Sequence, residues 1–126
     1  MAVRVEITRA AAEDLRSYLR SGNVTSFAKK LLRLEEIGED AGQPLRGNLT
    51  GWRKIVVGDR NWRILFAMSA DKTVATVWVV GDRDDAECYR IAERRLAEAA
   101  SGSPTTASLA TVMFDLAGLD RKRRDR

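Results

Sequence analysis

"GWRKIVVGDRNWRILFAM" spans residues 51–68 and decides how the rest of the chain is read. Two runs rich in β-branched and aromatic residues flank Gly58–Asn61, the pattern of a hairpin. Yet Arg53, Lys54, Arg60 and Arg63 are threaded through it, Arg46 lies just upstream, and only Asp59 opposes them. A turn at Gly58–Asn61 sets Val56 opposite Arg63 and Lys54 opposite Leu65. Opposed residues share a face, as do alternate residues along a strand, so Lys54 and Arg63 fall on one face with Leu65 and Ala67. Trp62, Ile64, Phe66 and Met68 take the other face, the natural seat for helices. The expectation is that the cations line an open, concave face of a sheet. Ordinary solvated charge on a half-buried sheet fits the same pattern.

Outward from this hairpin, "VRVEIT" (3–8) alternates as a first strand, and Thr8 is placed to cap a helix over 9–21 with Ala11, Leu15, Tyr18 and Leu19 in one stripe. Gly22 and Asn23 break that helix. A second helix, about 25–40, carries Phe27, Leu31, Leu34 and Ile37, which makes a helical hairpin. Strands follow at about 52–57, 62–68 and 73–80. "VATVWVV" is apolar on both faces and belongs in the middle of the sheet. Gly81 is placed to turn the chain, and "DDAE" (84–87) reads as a capping box opening a helix over 85–100, with Cys88, Ile91, Ala92 and Leu96 facing inward. "SGSPTTA" (101–107) reads as a linker, and 108–119 as an amphipathic helix through Leu109, Val112, Met113 and Leu116, ending in the charged "DRKRRDR". The order β-α-α-β-β-β-α is an α+β arrangement. The domain division is 1–100 as the main domain, 101–107 as a linker and 108–126 as an appended helix and basic tail.

Composition narrows the chemistry. The 126 residues suffice for one domain. Histidine is absent, which removes the usual general base and the commonest metal ligand. One cysteine, Cys88, allows neither an internal disulfide nor a zinc cluster, so no metal and no cofactor is expected. No signal peptide or membrane-length apolar run is visible, and a reducing cytoplasm fits. A net charge of +4 and a sequence pI of about 9.6 point to an anionic partner, nucleic acid first. Arg46, Arg53, Arg60 and Trp52 are candidate RNA contacts, because bases stack on rings while cations hold phosphates. Core packing is the competing role for Trp52 and Trp62, and the stronger one for Trp62. Past the central strand, "VVGDRDDAECY" (79–89) brings Arg83 and Tyr89 to a helix N-terminus, a suitable place for a phosphate. Taken alone, Arg83 pairs equally well with Asp82 or Asp85.

"PLRGNLTGWRKI", "WRILFAM", "VGDRDDAECY" and "AERRL", in this order over residues 3 to about 97, resemble the RelE/ParE superfamily of bacterial type II toxins, and its RelE-like ribonuclease branch in particular. The resemblance implies a RelE-like microdomain: a helical hairpin packed on a small, mostly antiparallel curved sheet, here with a further C-terminal helix. It implies cleavage of messenger RNA in the ribosomal A site, and a cognate antitoxin partner. Carried over by position, Lys54, Arg63, Arg83 and Tyr89 match the catalytic set. Val56 stands where the family has a second sheet lysine. The implied chemistry is attack of the RNA 2′-OH on the adjacent phosphate. Lys54, Arg63 and Arg83 stabilise charge, Tyr89 is the candidate base, and Arg83 assists the leaving group. Free tyrosine and arginine titrate far above neutrality, so positioning outweighs proton transfer. Two alternatives share the fold: a ParE-like inhibitor that binds DNA gyrase, and an RNA-binding module without catalysis. The 108–119 stripe leaves three roles open: packing on its own domain, self-association as a homodimer, or shielding the basic face in cis.

Overall fold

The computed structural model describes residues 2–18, 23–99, 102 and 104–124. Strand β1 (Arg4–Thr8) leads into helix α1 (Arg9–Ser17), and the Thr8 hydroxyl accepts the Ala11 N–H at 3.1 Å as the N-cap. Ala11 and Leu15 are buried from α1; Leu19 and the Gly22 break lie outside the described residues. Helix α2 (Asn23–Ile37) passes through a 3₁₀ turn at Gly38–Ala41 into the short edge strand β2 (Gln43–Pro44). A second 3₁₀ turn (Gly47–Leu49) precedes β3 (Trp52–Val57), β4 (Trp62–Met68) and β5 (Val74–Asp82). Helix α3 (Asp85–Ala99), strand β6 (Thr106–Ser108) and helix α4 (Leu109–Arg124) complete the described chain.

The sheet order is β2-β3-β4-β5-β1-β6, and of its pairings only β1–β5 is parallel. The β3–β4 register is the one expected from the turn: Val56 pairs with Arg63 and Lys54 with Leu65. Strand β5 is central, as its two-sided apolarity required. Its pairing slips after Leu65–Val79 to Phe66–Val77, leaving Trp78 as a bulged extra residue. Trp78 and Val79 therefore both serve the Lys54/Arg63 side, while Val77 and Val80 serve the other.

Two cores lie on opposite faces. On one, α1, α2 and α4 bury Leu15, Leu31, Leu34 and Val112 against Ile55, Ile64, Phe66 and Val77. The second core corrects the expectation of an open cationic face. There, α3 and the 47–49 turn cover Leu65 and Val79 with Leu49, Cys88 and Ala92, and Trp52 of β3 joins them. Apolar Leu65 and Val79 require that cover. Gly81 permits it: a Cβ there would lie 2.7 Å from Cys88 Sγ. Gly81 sits within β5, paired with Arg63, rather than at a turn.

Two further differences are local. Leu96, expected inward from α3, is 41% exposed, because the inward position one turn past Ala92 belongs to Arg95. Residues 106–107, read as linker, are strand: β6 extends the sheet antiparallel to β1. From α4, Leu109, Val112 and Leu116 are buried and Met113 is partly so, as the stripe predicted. Since α4 lies on the face opposite Lys54 and Arg63, it does not shield them in cis.

Candidate functional site

Strands β3 and β4 deliver Lys54 and Arg63 to the same face, and α3 returns across that face directly after β5. The first residue of α3, Asp85, therefore lands on both cations. Lys54 Nζ donates to Asp85 Oδ2 at 2.9 Å and Arg63 Nε to Asp85 Oδ1 at 2.9 Å. Arg63 Nη1 also donates to the carbonyls of Arg60 (2.9 Å) and Trp62 (3.1 Å), which ties it to the hairpin turn. The Arg63 side chain is 8% exposed, that of Lys54 18% and that of Asp85 38%. This is a half-buried, charge-assisted cluster of net charge +1. The hydrogen bond with Asp85 raises the Lys54 pKa against the opposing pull of burial. Burial would raise the Asp85 pKa, but the hydrogen bonds from Lys54 and Arg63 outweigh it and hold the carboxyl below its usual value.

Tyr89 lies one turn along α3, partly buried against the second core and near enough to Lys54 to favour its charged form. Arg83 is exposed at the end of β5 and makes no ion pair or hydrogen bond among the described residues, with neither Asp82 nor Asp85 as a partner. Asp84 caps α3 by accepting the Glu87 N–H at 3.1 Å, while the Glu87 side chain pairs with Arg90 instead of completing the box. Thus Lys54, Arg63 and Tyr89 converge around Asp85, and Arg83 is exposed two residues before Asp85 in the chain.

The other sequence-predicted residues scatter. Arg46 and Arg60 are exposed, Arg60 in the turn at φ 66°. Arg53 points to the opposite face, as strand alternation required, and donates to the Gly42 carbonyl at 3.0 Å. Trp52 is 8% exposed, its ring 5.3 Å from that of Trp78, so it presents no face to a base. Trp62 packs on Phe27, also at 5.3 Å between ring centres, in the core role expected of it.

Sequence reading missed two partners. In the sequence, Asp85 shows only as part of a capping motif and as an alternative partner of Arg83, not as the partner of Lys54 and Arg63. Its signal was positional: Gly81 pairs with Arg63, so a carboxylate four residues on, at the start of a returning helix, falls over the same face. The other is Asp14 with Arg95, joined at 2.7 and 3.0 Å. Asp14 also accepts the Val80 N–H at 3.0 Å, and Arg95 donates to the Trp78 carbonyl at 2.9 Å. The pair thereby satisfies backbone groups that the bulge leaves beyond the end of β1. An open cavity of about 530 Å³ beside Arg9, Glu13, Arg95 and Glu98 contains none of the predicted site residues. Among the described residues, no group of three or more His, Cys, Asp or Glu side chains is placed to hold a metal ion, and no helix is long and apolar enough to cross a membrane.

No family pattern and no curated protein matches the sequence. Solved structures do match the fold. A doubly substituted Escherichia coli toxin RelE in the free state is 26% identical, with a TM-score of 0.62, over 76% of this chain and 99% of that one. The same RelE variant in complex with a peptide of its antitoxin RelB is 26% identical, with a TM-score of 0.55, over 71% of this chain and 93% of that one. The RelBE2 toxin–antitoxin complex of Mycobacterium tuberculosis matches at 22% identity and a TM-score of 0.57, over 65% of this chain and 99% of that one. Sheet, helices and full-length likeness to RelE together place the chain in the RelE-like toxin superfamily.

Proposed function

We propose that this protein is the toxin of a type II toxin–antitoxin pair, that its partner is a RelB-like antitoxin, and that it acts by cutting messenger RNA on the ribosome. The observation that carries the reading is the convergence of Lys54, Arg63 and Tyr89 at the start of α3, with Arg83, two residues before Asp85, exposed and unpaired among the described residues. The chemistry requires no metal. The 2′-oxygen attacks the adjacent phosphorus as its proton passes to a base, for which Tyr89 is the candidate. The bond from phosphorus to the 5′-oxygen breaks, leaving a 2′,3′-cyclic phosphate and a 5′-oxygen that takes a proton from solvent to become the 5′-OH. Lys54 and Arg83 meet the charge that builds on the phosphorane. Arg63, nearly buried and bound to two carbonyls, positions Lys54 and Asp85 as much as it contacts RNA.

The test is cleavage in a purified translation system, with 5′ ends mapped with and without ribosomes. Arg83→Ala is expected to slow cleavage roughly 10²–10³-fold, as for other lost transition-state donors, and Tyr89→Phe is expected to impair it as well. A loss below about fivefold for Arg83→Ala removes it from the catalytic set. One observation favours a second reading, gyrase inhibition by binding alone: Asp85 already neutralises one of the two sheet cations, and Val56 adds none. That reading predicts intact RNA together with DNA-damage signalling.

A further inference from the structure

The most unusual feature of the site is that its anion-binding groups already hold an anion. Lys54 and Arg63 each donate to a different oxygen of one carboxylate, at 2.9 Å. Two anionic oxygens shared between a lysine and an arginine reproduce the way a phosphodiester presents its two non-bridging oxygens. We propose that Asp85 is an internal stand-in for the RNA phosphate: it occupies Lys54 and Arg63 in the free protein, must be displaced for the backbone to dock there, and so sets the affinity for RNA. The proposal rests on the RNA-cleaving reading above and identifies which contact the RNA replaces.

The geometry separates moving from fixed parts. Arg63 is 8% exposed and is anchored to the Arg60 and Trp62 carbonyls, so it stays. Asp85 is 38% exposed and sits at the first position of α3, where a change of rotamer carries its carboxylate to water without unwinding the helix. The Asp84 cap and the Cys88 contact at Gly81 hold α3 in place independently of Asp85. Once Asp85 leaves, the cluster rises from net +1 to +2 at the helix N-terminus, whose dipole also favours an anion.

The experiment measures binding of a single-stranded oligoribonucleotide whose 2′-O-methyl groups block cleavage, across a salt series. Asp85→Asn keeps the side-chain shape and removes the charge. It is expected to tighten binding about tenfold and to steepen the slope of log K against log salt by about 0.7, because in the wild type the displaced carboxylate takes up a cation that offsets one released from the RNA, and the variant has no such carboxylate. Asp84→Asn makes the same change in net charge next door and preserves the cap, since asparagine caps as well as aspartate; it is expected to change affinity less than about twofold. Equal gains from both variants, or an Asp85→Asn protein that binds no tighter with an unchanged slope, overturns the proposal. Lys54→Gln supplies the second reading. Its loss is expected to be under about threefold in the wild-type background and above about tenfold beside Asp85→Asn, a coupling that independent sites do not show. If Asp85→Asn does not fold, a tenfold loss from Lys54→Gln alone overturns the proposal, because the lysine would then hold phosphate with Asp85 in place. Competition by micromolar inorganic phosphate against Asp85→Asn also overturns it, by assigning the site to the free ion rather than the RNA backbone. Absent cleavage by the wild type on ribosomes refutes the nuclease alone and leaves these binding results standing.

Discussion

Gly81→Ala places one methyl group where α3 meets the sheet. The new Cβ would stand 2.7 Å from Cys88 Sγ, roughly 1 Å inside ordinary contact. Cys88 is 1% exposed and its thiol donates to the Asp82 carbonyl at 3.3 Å, so the sulfur has no empty space to enter. Either α3 lifts from β5 or the Cys88 side chain leaves its rotamer and loses that bond. Overpacking of this kind costs about 1–3 kcal/mol. For a domain of this size that lowers Tm by roughly 3–12 °C. Because Asp85 and Tyr89 flank Cys88 on α3, the lift also misplaces the site. Thermal denaturation of Gly81→Ala and of the double variant Gly81→Ala/Cys88→Ala separates the causes. Removing the sulfur removes the clash, so the double variant is expected to be less destabilised than the sum of the single variants by at least about 1 kcal/mol. Additive losses, or a Gly81→Ala protein as stable as the wild type, would refute close approach as the reason for glycine.

Other consequences follow from the same packing. Arg95→Ala strips the partner from a carboxylate 19% exposed and leaves the Trp78 carbonyl unpaired, for an expected loss of about 2–4 kcal/mol in urea denaturation; a loss under about 1 kcal/mol means that water replaces the guanidinium. Burial first, and then the nearby Asp85 carboxylate, push the Cys88 thiol up to about 11. Its raised pKa gives a stabilising contribution that is complete below the unfolded value near 9 and is lost as pH rises through about 11. At pH 8 the native thiol is expected to react with an aromatic disulfide at least ~10²-fold more slowly than in urea, and equal rates would contradict its burial.

The hairpin register was legible because turn length and alternation fix it locally: Gly58–Asn61 set Lys54 opposite Leu65 without reference to the rest of the chain. The α4 stripe was legible for the same reason, since helical periodicity needs no partner to be read. What failed was the inference about cover on the Lys54/Arg63 face. Trp52 looked like a stacking platform beside cations, but its ring belongs to a second core whose other wall, Trp78, reaches that face through a bulge. No alternation rule anticipates a bulge, so the Asp14–Arg95 pair that services it was hidden as well, 81 residues apart in sequence. Leu96 was placed inward by the stripe rule, and Arg95 displaced it because an arginine with a carboxylate and a carbonyl to meet satisfies the inward position.

The charge of Lys54 and Arg63 therefore neither crosses the core nor lies in water. Lys54 and Arg63 are matched by Asp85, and Asp82 and Asp84 stand on either side of Arg83. Asp85 thus leaves the Lys54/Arg63 cluster at net +1, and on the nuclease reading long-range attraction to RNA falls to exposed residues such as Arg46 and Arg60. A nuclease built this way gains little from charge alone on meeting loose RNA, because a flexible strand must displace Asp85 and also order itself. RNA already held in an attack-ready shape brings its ordering with it, and the exchange of one anion for another on Lys54 and Arg63 is then nearly balanced. On the nuclease reading, dependence on the ribosome follows from this arrangement: the carboxylate at the start of α3 penalises unpositioned substrates, and positioning removes most of that penalty.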